Sequence, residues 1–429
     1  MSDPRLPVEL LDHVVDFLQD SRDALKTCCL TSKSWIPRTR KHLFAEVGFY
    51  HADDVESWKI TFPNPSTSPA LYTKALYVGC PRDVTAADSE EGGWILSFSR
   101  VVHFGIEIPR IDTDGPANYL TPFHGFSPAI KSVLLHLTAL PSPHIFDLVY
   151  SFPLLEDLSV TTHITYISVL YEDKFKEQMT VAEPRSTPAF TGFLTLSMFG
   201  GIRHIASPLL ALPSGLHFRG LHLIWCNGKD TSLTAALVER CGSTLEFLYI
   251  RCFTGTSILH LWPYQWLTSV VEPLSPSIDL SGATKLRDVA FKCKSKPQWI
   301  VMALRTVTHH HRSLKRIEID AHEILFELDA DRWAGPGDFR DVVGEAVYEE
   351  WMDLDRLLDW LRESHSIRLN VLCNAPSSMG EAQARGCMEK LLPKVMRGGM
   401  AESPRTFGPK VPMRSRGRTR RSRGVGPVW

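Results

Sequence analysis

Apolar residues occur at helical spacing over about the first forty positions of the chain. Pro7 suits the first turn of a helix, because it lacks an N–H that would otherwise stay unbonded there. Apolar residues then recur every four positions at Leu10, Val14 and Leu18. Asp20 or Ser21 favours the start of a second helix, and Pro37 the start of a third. Three helices this short cannot bury all their apolar area among themselves, so we expect part of it to contact another surface.

After Phe44 the pattern changes to short runs in which apolar and polar residues alternate, as is typical of β-strands. We predict eleven strands, at Ala45–Tyr50, Lys74–Cys80, Val101–Ile108, Lys131–Leu137, Leu155–Val160, Gly192–Ser197, Leu216–Ile224, Leu245–Cys252, Leu286–Cys293, Leu314–Ile319 and Arg368–Cys373. Helices are predicted at Pro143–Ser151, Thr231–Cys241, Pro297–His309, Asp353–Ser364 and Glu381–Met396. This order predicts an α/β fold.

Several predicted strands share one local form, in which two large apolar side chains and a cysteine point to one side. The examples are Leu76-x-Val78-x-Cys80, Leu248-x-Ile250-x-Cys252 and Val289-x-Phe291-x-Cys293. Strands recur in several places near the spacing of leucine-rich repeats, which is about 20–29 residues. The pattern predicts an irregular leucine-rich-repeat α/β solenoid, a horseshoe of parallel strands closed by helices that cap its end. An irregular α/β domain with unrelated strands is the alternative.

The order of residues in the N-terminal helical segment resembles an F-box, most closely that of fungal F-box and leucine-rich-repeat proteins. The resemblance rests on Leu6-Pro7-x-Glu9-Leu10-Leu11, Leu18, Leu25, Cys28-Cys29-Leu30, Ser34-Trp35 and His42-Leu43-Phe44. It implies docking onto the small Skp-type adaptor of a cullin–RING ubiquitin ligase, while the repeats hold a substrate protein. The positions matching the family's docking face are Leu6, Pro7, Glu9, Leu10, Val14, Leu18, Leu25 and Trp35. A small helical cap with these residues as its core is the alternative.

Bulk composition fits a globular protein of the cytoplasm, the nucleus or both. Among 429 residues, 44% are hydrophobic and 22% are charged, and no apolar run approaches the roughly 20 residues of a membrane helix. Nine cysteines, an odd number without a C-x-x-C pair, argue against a disulfide framework and a structural zinc site. We therefore expect no membrane partner and a reducing compartment.

The net charge of −1 conceals a basic C-terminal tail. Residues 397–429 contain eight Arg and one Lys against one Glu, whereas the rest of the chain is acidic. We predict three parts: an F-box-like helical domain at 1–45, a repeat domain at 46–396 and a disordered tail at 397–429. Nucleic-acid binding is expected, if at all, only of the tail, which is otherwise a solvated segment without a fixed role.

No catalytic constellation is found in the sequence, so we expect no enzyme, no cofactor and no metal site. His309-His310-His311 is interpreted as a solvated helix end, because three consecutive side chains point in different directions. The sequence therefore predicts a substrate-recruiting subunit of a ubiquitin ligase. A repeat scaffold without a ubiquitin role and an RNA-associated protein are the rival hypotheses.

Overall fold

The computed structural model of the chain describes residues 7–79, 94–108, 117–137, 144–162, 188–197, 202–226, 231–252, 278–292, 297–321, 324, 339–372 and 381–397. These residues fall into two compact units. Described residues before Val160, together with 188–189, form the first unit, and the others form the second. Leu6, Cys80, Cys293 and residues 398–429 of the predicted tail lie outside the described residues.

The first unit begins with three helices and continues with strands. Its helices are α1 (Val8–Phe17), α2 (Arg22–Thr31), α3 (Ile36–Leu43), α4 (Ala52–Thr61) and α5 (His144–Tyr150). Its short 3-10 helices are Lys33–Trp35, Pro65–Thr67, Pro69–Tyr72, Ile95–Phe98 and Ala117–Phe123. Its strands are β1 (Glu46–Phe49), β2 (Ala75–Val78), β3 (His103–Ile108), β4 (Ser132–Leu137) and the start of β5 (Asp157–Thr162).

The second unit continues the alternation of strands and helices. Its strands are β6 (Phe193–Ser197), β7 (Gly220–Cys226), β8 (Phe247–Cys252), β9 (Asp288–Lys292), β10 (Arg316–Asp320) and β11 (Arg368–Leu372). Its helices are α6 (Arg203–Leu210), α7 (Thr231–Cys241), α8 (Gln298–Arg305), α9 (Phe339–Val343), α10 (Glu345–His365), α11 (Glu381–Leu391) and α12 (Pro393–Arg397). No described helix is long and apolar enough to cross a membrane.

Within each unit, strands pair in parallel with their neighbours in chain order. In the first unit one register row runs across β1–β4, through Glu46, Ala75, His103 and Ser132. In the second unit the corresponding row runs across β6–β11, through Phe193, Gly220, Phe247, Asp288, Arg316 and Arg368. The predicted α/β fold and its parallel strands are confirmed, and each unit has the strand order expected of a solenoid.

Successive strands begin with the same pair of backbone hydrogen bonds to the preceding strand. Arg219 O accepts from the N–H groups of both Glu246 and Phe247, at 2.7 and 3.0 Å, as β8 begins beside β7. Lys74 O accepts in the same way from Val102 and His103, at 2.8 and 2.9 Å. The strands β6, β7 and β8 begin 27 residues apart, at positions 193, 220 and 247. The repeat seen in the sequence is thus also a repeat of backbone bonding.

Alternation along the strands separates a buried face from a partly open one. In β4, Val133, Leu135 and Leu137 are buried, whereas Ser132, Leu134 and His136 are half-buried. Several strands begin two residues later than predicted, because the leucine that precedes them is buried in a turn and stays outside the ladder. These leucines are Leu155, Leu245, Leu286 and Leu314.

Three helix predictions need correction. The helix predicted at Asp353–Ser364 is part of α10, which begins eight residues earlier, at Glu345. The helix predicted at Pro297–His309 ends at Arg305, and a turn follows it. The helix predicted at Glu381–Met396 is divided into α11 and α12, because Pro393 has no N–H to continue the helical bonding. The helix predicted at Thr231–Cys241 is confirmed.

Candidate functional site

The three N-terminal helices, called here the helical trio, have a small interior of their own. Val15 from α1, Leu25 and Cys28 from α2 and Thr39 from α3 are buried, and Val15 and Thr39 have no exposed area. The Thr39 hydroxyl donates to the carbonyl oxygen of Trp35, which ties α3 to the 3-10 turn before it. This interior fixes which side of each helix faces inward.

A polar bridge fastens α1 to α3. Arg38 donates to the Asp16 carboxylate through two nitrogens, with Nε 2.7 Å from Oδ1, and His42 Nε2 lies 2.7 Å from the same oxygen. Hydrogen bonds from Arg38 and then His42 lower the pKa of Asp16 well below its usual value. The carboxylate therefore stays ionised and holds both partners, which sets the orientation of α1 in the trio.

The fixed orientation of α1 leaves apolar side chains exposed to solvent. Leu10 and Val14 are 49% and 47% exposed, and Phe17, one turn further on, is 89% exposed. Leu30 on α2 is also 89% exposed. We call Leu10, Val14, Phe17 and Leu30 the apolar stripe. Large apolar side chains usually gain by burial, so such a set points to a surface that another molecule covers.

The residues matched to the F-box docking face occupy three kinds of place. Pro7 and Glu9 are exposed at the start of α1, beside the stripe residues Leu10 and Val14. Leu18 and Trp35 are half-buried. Leu25 is only 1% exposed, so it stabilises the trio from within and offers no contact area in this conformation.

The sequence interpretation missed Phe17 and Leu30, the two most exposed members of the stripe. Phe17 lies three residues after Val14 and seven after Leu10, a spacing that places all three on one side of a helix. That spacing was a usable signal. Leu30 is among the residues that carry the F-box resemblance, but its exposure could not be predicted, because only the packing of α2 against α3 turns it outward.

The prediction that His309-His310-His311 is a solvated helix end is wrong for His311. Its side chain has no exposed area, Nε2 lies 2.8 Å from Leu280 O, and Nδ1 accepts from the Thr308 N–H at 3.0 Å. His309 and His310 are exposed as expected. The buried ring fastens two turns of the second unit together. Among the described residues, no group of His, Cys, Asp or Glu is arranged to hold a metal ion.

No protein-family model matches the chain, and no curated protein matches it. The role of the apolar stripe therefore has to follow from its residues and their geometry. What they offer is exposed apolar area on two helices, suited to protein contact.

Proposed function

We propose that the chain is the substrate-recruiting subunit of a cullin–RING ubiquitin ligase. The helical trio acts as an F-box that docks onto a Skp-type adaptor, and the strand-bearing units act as a leucine-rich-repeat arc that holds a target protein. The single observation that carries the proposal is the exposed apolar stripe on α1 and α2. It lies on the segment whose residue order resembles an F-box.

The stripe suits a permanent or long-lived partner. Full burial of one large apolar side chain stabilises an assembly by about 1.5–3 kcal/mol. Leu10, Val14 and Phe17 on one side of α1 and Leu30 on α2, two of them 89% exposed, supply apolar area of the kind that stable interfaces bury. The Asp16 bridge keeps this surface in one orientation before the partner arrives, which reduces the entropy lost on docking.

The strand arrangement supports the repeat half of the proposal. The 27-residue spacing of β6, β7 and β8 lies within the range of about 20–29 residues known for leucine-rich repeats. Successive strands also begin with the same pair of backbone bonds to their predecessor. A protein of this kind catalyses no bond change itself. It raises the effective concentration of a substrate lysine near the ubiquitin-loaded enzyme.

Co-purification of a Skp-type adaptor tests the docking half. We expect the wild-type chain to retain the adaptor and the double variant Phe17→Ser/Leu30→Ser to lose it, because the apolar centre of the interface is gone. Ile60→Ser is the matched control, since Ile60 is 79% exposed on α4 of the same unit but lies outside the stripe. Neither change removes buried area, so the free energy of unfolding of both variants should stay within about 0.5 kcal/mol of the wild-type value.

Equal recovery of the adaptor by the wild type and the double variant would refute adaptor docking through the stripe. A folded chain that stays monomeric and never recovers the adaptor would instead favour the rival hypothesis of a repeat scaffold without a ubiquitin role. The second variant pair Leu6→Ala/Pro7→Ala probes the N-terminal end of the same resemblance.

A further inference from the structure

The partly open face of β1–β4 has a distinct composition. Its positions include two register rows, Glu46, Ala75, His103 and Ser132 and then Gly48, Tyr77, Gly105 and Leu134, followed along the same strands by Tyr50, Gly79 and the pair Glu107 and His136. We call this set the strand face. None of these described positions holds a lysine or an arginine, and two hold glutamates.

Two neighbouring tyrosines, one exposed and one half-buried, lie at one end of the strand face. The rings of Tyr50 and Tyr77 have their centroids 5.3 Å apart at an angle of 39°. Tyr50 is 54% exposed. Its ring lies over Gly48, where an added Cβ would come within 2.9 Å of Tyr50 Cε2. Glycine at this position therefore leaves room for the Tyr50 ring beside Tyr77.

A carboxylate and an imidazole flank the tyrosine pair. The Tyr77 hydroxyl donates to Glu107 Oε2 at a long 3.4 Å, and the His136 ring meets the Tyr77 ring edge-on at 5.9 Å. The Glu107 carboxylate can accept further hydrogen bonds from a partner, because one long bond leaves acceptor sites on both oxygens. The cluster thus joins π faces with negative charge.

The second unit shows what an internally neutralised strand face looks like. There Asp288 Oδ1 accepts from Arg316 Nε at 2.9 Å, and Asp320 Oδ2 lies 3.2 Å from Lys292 Nζ. These pairs are on neighbouring strands in register. Among the described positions of the strand face of β1–β4, no lysine or arginine plays that part, so its glutamates can attract a cation from another molecule.

We infer that the strand face of β1–β4 binds a lysine- or arginine-bearing segment of a partner protein. The cationic side chain lies over the exposed Tyr50 ring, beside the half-buried Tyr77, and donates to Glu107. Tyrosine faces attract Lys and Arg through the ring quadrupole, and a charge-assisted hydrogen bond to a carboxylate fixes the head group. The inference rests on the proposed function only in taking the partner to be the recruited target.

A peptide-binding experiment on the full chain, without adaptor, tests this surface. The probe is a fluorescein-labelled Gly/Ser peptide with several lysines, compared by anisotropy with a peptide in which every lysine is glutamine. We expect the lysine peptide to bind and the glutamine peptide to bind at least about tenfold more weakly. Tyr50→Ala and Glu107→Gln should each weaken binding of the lysine peptide by about tenfold.

Matched controls separate this site from general attraction to an acidic protein. Tyr72→Ala removes a partly exposed tyrosine from a 3-10 helix, and Glu56→Gln removes a carboxylate from α4. Both should leave binding of the lysine peptide unchanged. Equal binding of the two peptides, or equal weakening by Glu56→Gln and Glu107→Gln, would overturn the inference. The peptide experiment contains no adaptor. Its result therefore does not depend on whether the apolar stripe docks one.

Discussion

The half-buried His222 sets part of the pH response expected of the second unit. His222 packs edge-on against the Tyr249 ring, with centroids 4.4 Å apart. Burial lowers the pKa of His222 to about 4, because the imidazolium would lose its hydration there. The ring is therefore neutral in the folded chain at any pH well above 4.

We predict that His222→Gln makes the free energy of unfolding less dependent on pH. In the unfolded chain His222 binds a proton near pH 6.5, whereas in the folded chain it does so only near pH 4. Between these values the unfolded state binds more protons, so stability falls as the pH falls. The loss attributable to this residue is at most about 3 kcal/mol.

Urea unfolding at pH 7.5 and pH 4.5 measures this difference for the wild type and the variant. His310→Gln is the control, because it removes an exposed histidine of the same unit. A His222→Gln variant with the full wild-type loss of stability between the two pH values would contradict the prediction.

At the scale of single elements, α1 has apolar residues on two sides, and the fold buries one side more than the other. Leu11, Val15 and Leu18 lie toward the trio, where Val15 is fully buried and the other two are half-buried. Leu10, Val14 and Phe17 lie outward. The Asp16 bridge to α3 holds the helix in this rotation.

We predict that Asp16→Asn loosens α1 without unfolding either unit. The amide lacks the charge that binds Arg38 and His42, so backbone hydrogens of α1 should exchange faster, and adaptor docking should weaken with them. Because Arg38 and His42 lower the pKa of Asp16, its stabilising effect is present above the unfolded pKa of about 4 and is lost as the pH falls further.

Hydrogen exchange followed by mass spectrometry gives the readout for α1. Asp20→Asn is the control, since Asp20 is exposed in the turn between α1 and α2. Unchanged exchange across α1 in the Asp16 variant would show that apolar packing alone holds the helix.

At the scale of the whole chain, the last helices close the second unit. Asp355 of α10 is buried, and its carboxylate accepts from the N–H groups of Lys394 and Val395 at 3.1 and 3.0 Å, which secures the start of α12. The apolar residues Met388, Leu391, Leu392 and Val395 are also buried. A terminal repeat whose last helix is covered in this way has the cap that a solenoid end needs.

We predict that truncation after Leu372 lowers the thermal midpoint and causes aggregation, because it uncovers the apolar side of α10. Truncation after Arg397 should leave the midpoint unchanged, since it keeps α11 and α12. Differential scanning calorimetry and light scattering compare the two shortened chains with the full chain. Similar behaviour of both truncated forms would refute the capping role.

Most of the fold could be predicted because its signal is local. Alternating residues such as Val133, Leu135 and Leu137 mark a strand whatever lies beside it. Strand starts were less predictable: Leu245 looks like a strand residue, but its N–H donates to Cys241 O in the turn after α7. Whether an apolar residue joins a ladder or a turn depends on the neighbouring strand, which the local pattern does not contain.

The candidate docking site was only partly predictable. The F-box resemblance pointed to α1, and Leu10 and Val14 do lie on its outer surface. Leu25 and Leu30 have the same chemistry and lie five residues apart on α2, yet one is buried and the other is exposed. Composition cannot separate two leucines on one short helix, because their exposure depends on where α1 and α3 pack.

The sequence by itself determined the helical start, the eleven strands and their parallel α/β character, because side-chain periodicity acts within a few residues. The tertiary structure decided which surfaces remained open. The stripe on α1 and α2 and the tyrosine pair on β1–β4 exist only because distant segments were brought into contact and covered the other faces. Function at such surfaces depends on what packing leaves uncovered, and packing is a property of the whole fold.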